Sequence, residues 1–258
     1  LGLNFITTVE DLAVLKRGIV QNVAEDGFAV LNATDPNVGR MAQLCPGGVI
    51  FFAADPHHPV LAAHRAQGLR CVFVENGEIV AAEGSWRERV PLRDVPMTRR
   101  GTIGFQVENA MASLAAVWAL GLEWDVIRAG LASFVNDASN APGRFNVMDW
   151  RGATVIADYG HNPDAMRALG AAVQAMPAKR RSVGISGARD RRDEDIREQT
   201  QILGTAFDEV ILYQDACQRG REDGEVIALL REGLAGAART PRVDEIRGEF
   251  LAIDTALE

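Results

Sequence analysis

The chain has 258 residues, 47% of them hydrophobic and 24% charged, which excludes disorder and fibrous repeats and allows one large domain or two ordinary ones. Lys and Arg number 27 against 35 Asp and Glu, and a net charge of −8 argues against a general nucleic-acid surface. Cys45, Cys71 and Cys217 share no C-x-x-C spacing, which argues against a disulfide framework or structural zinc and for a reducing, cytoplasmic compartment. No apolar run approaches the ~18 residues of a membrane span, so no membrane partner is expected.

Short β-rich runs alternate with helical ones, the pattern of a parallel α/β sheet. The opening helix has two candidate capping boxes, Thr7 with Glu10 or Thr8 with Asp11, and an expected apolar face of Val9, Leu12, Ala13, Ile19, Val20 and Val23. Residues 28–31 and 49–52 read as buried strands, with Asp35-Pro36 between them as N-cap and first residue of a short helix. Asn76-Gly77, flanked by apolar runs, predicts a β-hairpin on a type I′ turn, with a third strand over 85–92. This is read as a small antiparallel sheet appended to the main one. Helices are expected over 106–120 and 125–134.

The polar, turn-forming stretch 136–143 is the expected boundary, dividing the chain into domains 1–140 and 141–258. Beyond it, strands over 154–157, 182–185, 210–213 and 242–246 alternate with helices, as in a doubly wound, Rossmann-like domain. In such a sheet ligands lie at the carboxyl ends of the strands, so the loops 158–163, 186–193 and 214–221 are the candidate site. The tips Asp158, Asp190 and Asp215 are expected to meet there. Simpler roles compete with this: Asp158 could cap the next helix, His161 could be an ordinary solvated histidine, and the arginines near 189–197 could be a salt-bridged helix start. The run Lys179-Arg180-Arg181 reads as a solvated turn. No G-x-x-x-x-G-K-[ST] loop occurs, and Gly101-Thr102-Ile103-Gly104 lacks the lysine, so the chain carries no complete phosphate cradle.

Gly143-Arg144-Phe145 followed by Asp158-Tyr159-Gly160-His161-Asn162-Pro163-Asp164 resembles the start of the C-terminal domain of the Mur ligases, ATP-dependent enzymes that join an amino acid to a carboxylate. Within that superfamily the chain is more similar to the cyanophycin synthetase branch. The stretches 104–109, 190–197 and 219–221 carry that likeness, with 8–16 and 30–33 in support. The fold implied is a truncated Mur-ligase central α/β domain, a mixed sheet with a small antiparallel subsheet, followed by the Rossmann-like domain. The activity implied is addition of arginine to the β-carboxylate of a poly-aspartate backbone through an acyl phosphate.

The resemblance also implies roles by position. Lys16 matches a lysine that, if carbamylated, helps hold Mg²⁺; otherwise it is a surface lysine. Gln106 and Asn109 fall where the adenine of ATP is read, or else cap their helix. Arg144 matches the arginine that reaches the ATP phosphates, Asp158 the acid that binds ribose, and Tyr159 and His161 lie beside it. Asp190, Asp193, Asp215, Arg219 and Arg221 occupy the loops that grip the incoming amino acid, with Asp215 the first candidate to pair with a guanidinium. The implied partners are ATP, arginine and a poly-aspartate acceptor, with no nucleic acid, in a homo-oligomer.

Thr34 stands where the family has an acid, and the family's phosphate loop and magnesium-binding histidine are expected upstream of Leu1. A last strand is expected beyond Glu258. The chain is therefore expected to be a piece of a longer polypeptide, inactive alone. Two alternatives stand beside this reading: a Mur-type ligase for another acceptor such as a glutamate chain, and a non-catalytic nucleotide- or amino-acid-binding module.

Overall fold

The computed structural model describes residues 5–187, 191–214, 221–238 and 242–257. The chain divides after Asp158 into two compact units. In the first, α1 (Val9–Gln21) begins at the Thr8–Asp11 capping box, the second of the two candidates. The Asp11 N–H donates to Thr8 Oγ1 at 3.0 Å and the Thr8 N–H to Asp11 Oδ2 at 3.1 Å. Its apolar face is narrower than expected. Val20 is buried, but Val9 and Ile19 are 51% and 74% exposed, because the helix meets the core only along the line leading to Val20.

β1 (Phe28–Asn32), α2 (Pro36–Arg40), β2 (Gly48–Ala53), α3 (Pro59–Ala66), β3 (Cys71–Glu75), β4 (Glu78–Glu83) and β5 (Trp86–Pro91) follow. Asp35 caps α2 with Pro36 at its first position, as the sequence requires. The strands form one five-stranded sheet in chain order, parallel from β1 to β3 and antiparallel from β3 to β5. β3 belongs to both parts, so the expected antiparallel piece continues the main sheet. Asn76 and Gly77 both have positive φ (52° and 76°), which the type I′ turn demands.

Alternation along the strands splits the core in two. Ile50, Phe52, Val72 and Ile79 pack with Val107, Met111 and Leu114 of α4 (Gly104–Ala119). Phe51, Phe73 and Val80 pack with Val20 of α1 and Leu61 of α3. On α3, His64 is buried with Nε2 3.1 Å from the carbonyl oxygens of both Val49 and Arg70, so Nε2 carries the proton. Burial holds its pKa below the ordinary imidazole value. α5 (Trp124–Ser133) completes the helical layer, and Trp86, Trp118 and Trp124 pack together with centroids 5.3–5.9 Å apart.

β6 (Asn146–Trp150) and β7 (Ala153–Ala157) close this unit as an antiparallel hairpin. This corrects the expectation for 154–157. That strand exists, but it pairs with β6 rather than joining the parallel sheet of the second half. The cause is Arg151-Gly152, a two-residue turn with positive φ at both positions (51° and 83°), which folds β7 back on β6.

In the second unit, Asn162 caps α6 (Pro163–Gln174) by accepting the Ala165 N–H at 2.9 Å, so the cap is Asn162 and not Asp158. β8 (Ser182–Ile185), α7 (Asp193–Ala206), β9 (Glu209–Gln214), α8 (Glu225–Ala235), β10 (Arg242–Arg247) and α9 (Glu249–Leu257) follow. The three described strands are parallel in the order β10-β9-β8, with β9 central and most buried. In the 179–181 run Lys179 and Arg180 are exposed, as expected of a solvated turn, while Arg181 is half-buried. Arg181 donates from Nε to the Val173 carbonyl (3.1 Å) and from Nη2 to that of Met176 (2.9 Å), capping the end of α6. Arg180 pairs with buried Glu209 at 3.3 Å.

Candidate nucleotide and substrate sites

In the first unit, four sequence-selected residues belong to one connected piece of structure. α4 starts at Gly104 with no side-chain cap, which puts Gln106 and Asn109 in its first two turns. The alternative that they cap the helix is not realised. Gln106 is buried, and its Oε1 accepts from Asn109 Nδ2 at 3.1 Å, leaving Asn109 exposed at the helix start. Phe105, beside Gln106, meets Phe145 edge to face with centroids 5.2 Å apart. Phe145 follows Arg144, and the Phe145 N–H donates to Asp158 Oδ2 at 2.9 Å. The amide pair, the guanidinium and the carboxylate are thus tied through two phenylalanines. Arg144 is exposed.

Glu108 was not singled out by sequence, since a single acid on a helix is usually solvated. It is half-buried, and burial pushes its carboxyl above the ordinary range.

In the second unit, His161 Nδ1 lies 3.0 Å from the Tyr159 carbonyl oxygen and the two rings are 5.2 Å apart. The imidazole Nδ1 therefore carries a proton, since the carbonyl oxygen can only accept. At the carboxyl ends of β8 and β9, Arg221 donates to Asp193 Oδ1 and to the Arg191 carbonyl, both at 2.7 Å, and pairs with Glu225. Two candidate substrate residues, Asp193 and Arg221, are thus bonded to each other and join the loops after β8 and β9. Arg192 Nη2 pairs with Asp195 at 2.8 Å and holds its carboxyl below the usual range, so the salt-bridged helix start is realised. Asp190, Asp215 and Arg219, with the tips of those loops, lie outside the described residues.

Lys16 is exposed on α1. Among the described residues no group of three or more His, Cys, Asp and Glu comes together to hold a metal ion. The described residues do not by themselves fit a Mg²⁺ site. Nor, among the described residues, is any helix long and apolar enough to cross a membrane.

In this chain, residues 143–258 match the family described as Mur ligase, glutamate ligase domain. Along its whole length it is similar to curated cyanophycin synthetases, 36% identical over 260 residues to that of Geminocystis herdmanii (strain PCC 6308) and to that of Synechocystis sp. (strain ATCC 27184 / PCC 6803 / Kazusa). Each alignment takes in 100% of this chain and 30% of the relative, so the chain spans about a third of the curated proteins it matches. Among solved structures, Mycobacterium tuberculosis folylpolyglutamate synthase complexed with ADP and AMPPCP superposes with a TM-score of 0.65 at 20% identity, covering 97% of this chain and 52% of that one. At that identity the match shows the fold, the mixed α/β architecture expected from the sequence.

Proposed function

We propose that this chain belongs to an ATP-dependent isopeptide ligase that adds arginine to the β-carboxylate of a poly-aspartate backbone. The observation that carries the reading is the likeness to cyanophycin synthetases along the whole of this chain. It is supported by the tied arrangement of Gln106, Asn109, Arg144 and Asp158 in the first unit. In this reading the amide pair at the start of α4 meets the adenine, whose edge needs one donor and one acceptor. Asp158 meets the ribose hydroxyls while its Oδ2 holds the Phe145 N–H. The Arg144 guanidinium meets the phosphates and offsets the charge that develops as the γ-phosphoryl group moves.

The reaction transfers that phosphoryl group to the β-carboxylate, releasing ADP and forming an acyl phosphate. The α-amine of arginine then attacks the carbonyl carbon, phosphate leaves, and the amine gives up a proton. Asp190, Asp215 and Arg219 are assigned to the incoming amino acid. Tyr159 and His161 are assigned beside the nucleotide. Asp193 and Arg221 hold the loops through their mutual pair. Mg²⁺ would arrive with ATP, Lys16 being a ligand only as a carbamate. The setting assigned is a cytoplasmic homo-oligomer.

In the full-length polypeptide, ADP release with poly-aspartate is expected to depend on arginine. Arg144→Ala should lower kcat about 100-fold. Asp215→Ala should raise KM for arginine about tenfold while leaving that for ATP in place. A second reading, a polyglutamate-type ligase, draws on the glutamate ligase description of the matching family. Turnover with glutamate and a glutamate-chain acceptor, and none with arginine, would replace the first reading by the second.

A further inference from the structure

The stretch 136–143 has the composition of a linker, yet the structure folds it and the three residues after it into a bracket. Asp137 Oδ1 accepts the N–H groups of Ser139 (3.0 Å) and Asn140 (2.9 Å) and the Ser139 hydroxyl (2.7 Å). These bonds, the Ser139 hydroxyl foremost, hold the Asp137 carboxyl below its usual range. Asn140 Nδ2 donates to the Val135 carbonyl at 3.0 Å. Asn146, 1% exposed, spans the far side: Oδ1 accepts the Gly143 N–H at 2.7 Å and Nδ2 donates to the Ala141 carbonyl at 2.9 Å.

Arg144 sits between two residues of positive φ, Gly143 at 68° and Phe145 at 54°. For glycine this costs little, but for a phenylalanine the left-handed region is unfavourable and persists only where its surroundings hold it. Here the holding groups are visible. Phe145 is 3% exposed against Phe105, and its N–H is taken by Asp158. The Arg144 peptide is fixed on both sides, its N–H donating to the Ala141 carbonyl at 3.2 Å and its carbonyl accepting from Asn136 Nδ2 at 2.6 Å.

The N–H groups of Gly143 and Arg144 are bonded within the bracket and that of Phe145 to Asp158. The loop therefore makes no backbone nest for an anion, and phosphate recognition here falls to the Arg144 side chain. A connector between elements would need neither a left-handed phenylalanine nor this density of side-chain bonds. We infer that Asn136 and Phe145 are positioning residues that lock the Arg144 backbone so that its guanidinium is aimed before nucleotide binds. This rests on the reading that Arg144 meets the phosphates. Preorganised charge of this kind loses much of its effect when displaced by about 1 Å.

The test is a double-mutant cycle in the full-length polypeptide, measuring kcat, KM for ATP and for arginine, and the melting midpoint. Arg144→Ala should lower kcat about 100-fold. Asn136→Ala should lower it about tenfold with KM for arginine unchanged. The double variant should be no slower than Arg144→Ala alone, since a positioning residue has nothing left to aim. Should Asn136→Ala fail to fold, Phe105→Leu loosens Phe145 without touching the bracket's hydrogen bonds and enters the same cycle. Effects that multiply, or an Asn136→Ala protein with wild-type kcat beside an impaired Arg144→Ala, would overturn the inference. Wild-type turnover in Arg144→Ala would instead overturn the assignment of Arg144 itself, and this inference with it.

Discussion

Glu108 is flanked on α4 by the two amides assigned to the adenine, and its charge is disfavoured there because burial strips water from the carboxylate. The sign of the consequence is fixed. The folded state holds this proton more tightly than the unfolded chain, so stability is greatest below the ordinary carboxylate pKa and is lost as pH rises through the folded one. Glu108→Gln is expected to raise stability at pH 7, where the wild type carries the unfavourable charge, and to leave it little changed near pH 4. Denaturant midpoints at the two pH values check this, and an equal gain at both would refute it. Of the residues chosen from sequence, Asn109 and Arg144 are exposed, and Asp158 turns one oxygen inward to a backbone N–H. Their assigned roles came from the resemblance to the Mur ligases, position by position, and not from the pattern of the residues themselves. Asp158's hold on Phe145 was not legible in the sequence, since that bond spans 13 residues and depends on a left-handed φ that nothing in a phenylalanine announces.

Among elements, α7 and α8 cross at Gly233, where a methyl group would collide with the Arg197 carbonyl oxygen and the Thr200 hydroxyl. The Thr200 hydroxyl also donates to the Leu230 carbonyl at 2.6 Å, so the helices are bonded where they are closest. Gly233→Ala would normally favour a helix; here the backbone must shift, and a loss of about 1–3 kcal/mol is expected. A thermal melt checks it, and an unchanged midpoint would show that the helices separate freely. Local chemistry predicted other elements well. Thr8, Asp35-Pro36 and Asn76-Gly77 each act through bonds or dihedrals within a few residues, and each does what its sequence position suggests. The β6–β7 hairpin escaped because Arg-Gly is a weaker turn signal than Asn-Gly, although Arg151 takes the same positive φ as Asn76. The apolar residues of α1 misled for a related reason: periodicity shows that a face exists but not how much of it the core covers.

For the whole molecule, the missing G-x-x-x-x-G-K-[ST] loop outweighs any single side chain. The proposed reaction needs ATP phosphates cradled by backbone N–H groups, and the three amides of the Arg144 loop are already bonded. The 258-residue chain by itself is therefore expected to show no arginine-dependent ATP turnover, measured as ADP release with poly-aspartate present. Measurable turnover would mean that another element supplies the cradle. What the sequence determined unaided was the alternation of strands and helices, the hairpin turn, the caps and the Mur-ligase likeness, because these rest on periodicity, local hydrogen bonds and ordered motifs. The tertiary structure alone decided that β7 folds onto β6, that Asp193 and Arg221 bond to each other, and that a linker-like stretch is a hydrogen-bonded bracket around Arg144. The Asp193–Arg221 pair joins groups that are distant along the chain, while the hairpin and the bracket turn on positive φ at Arg151 and Phe145, which neither residue type announces.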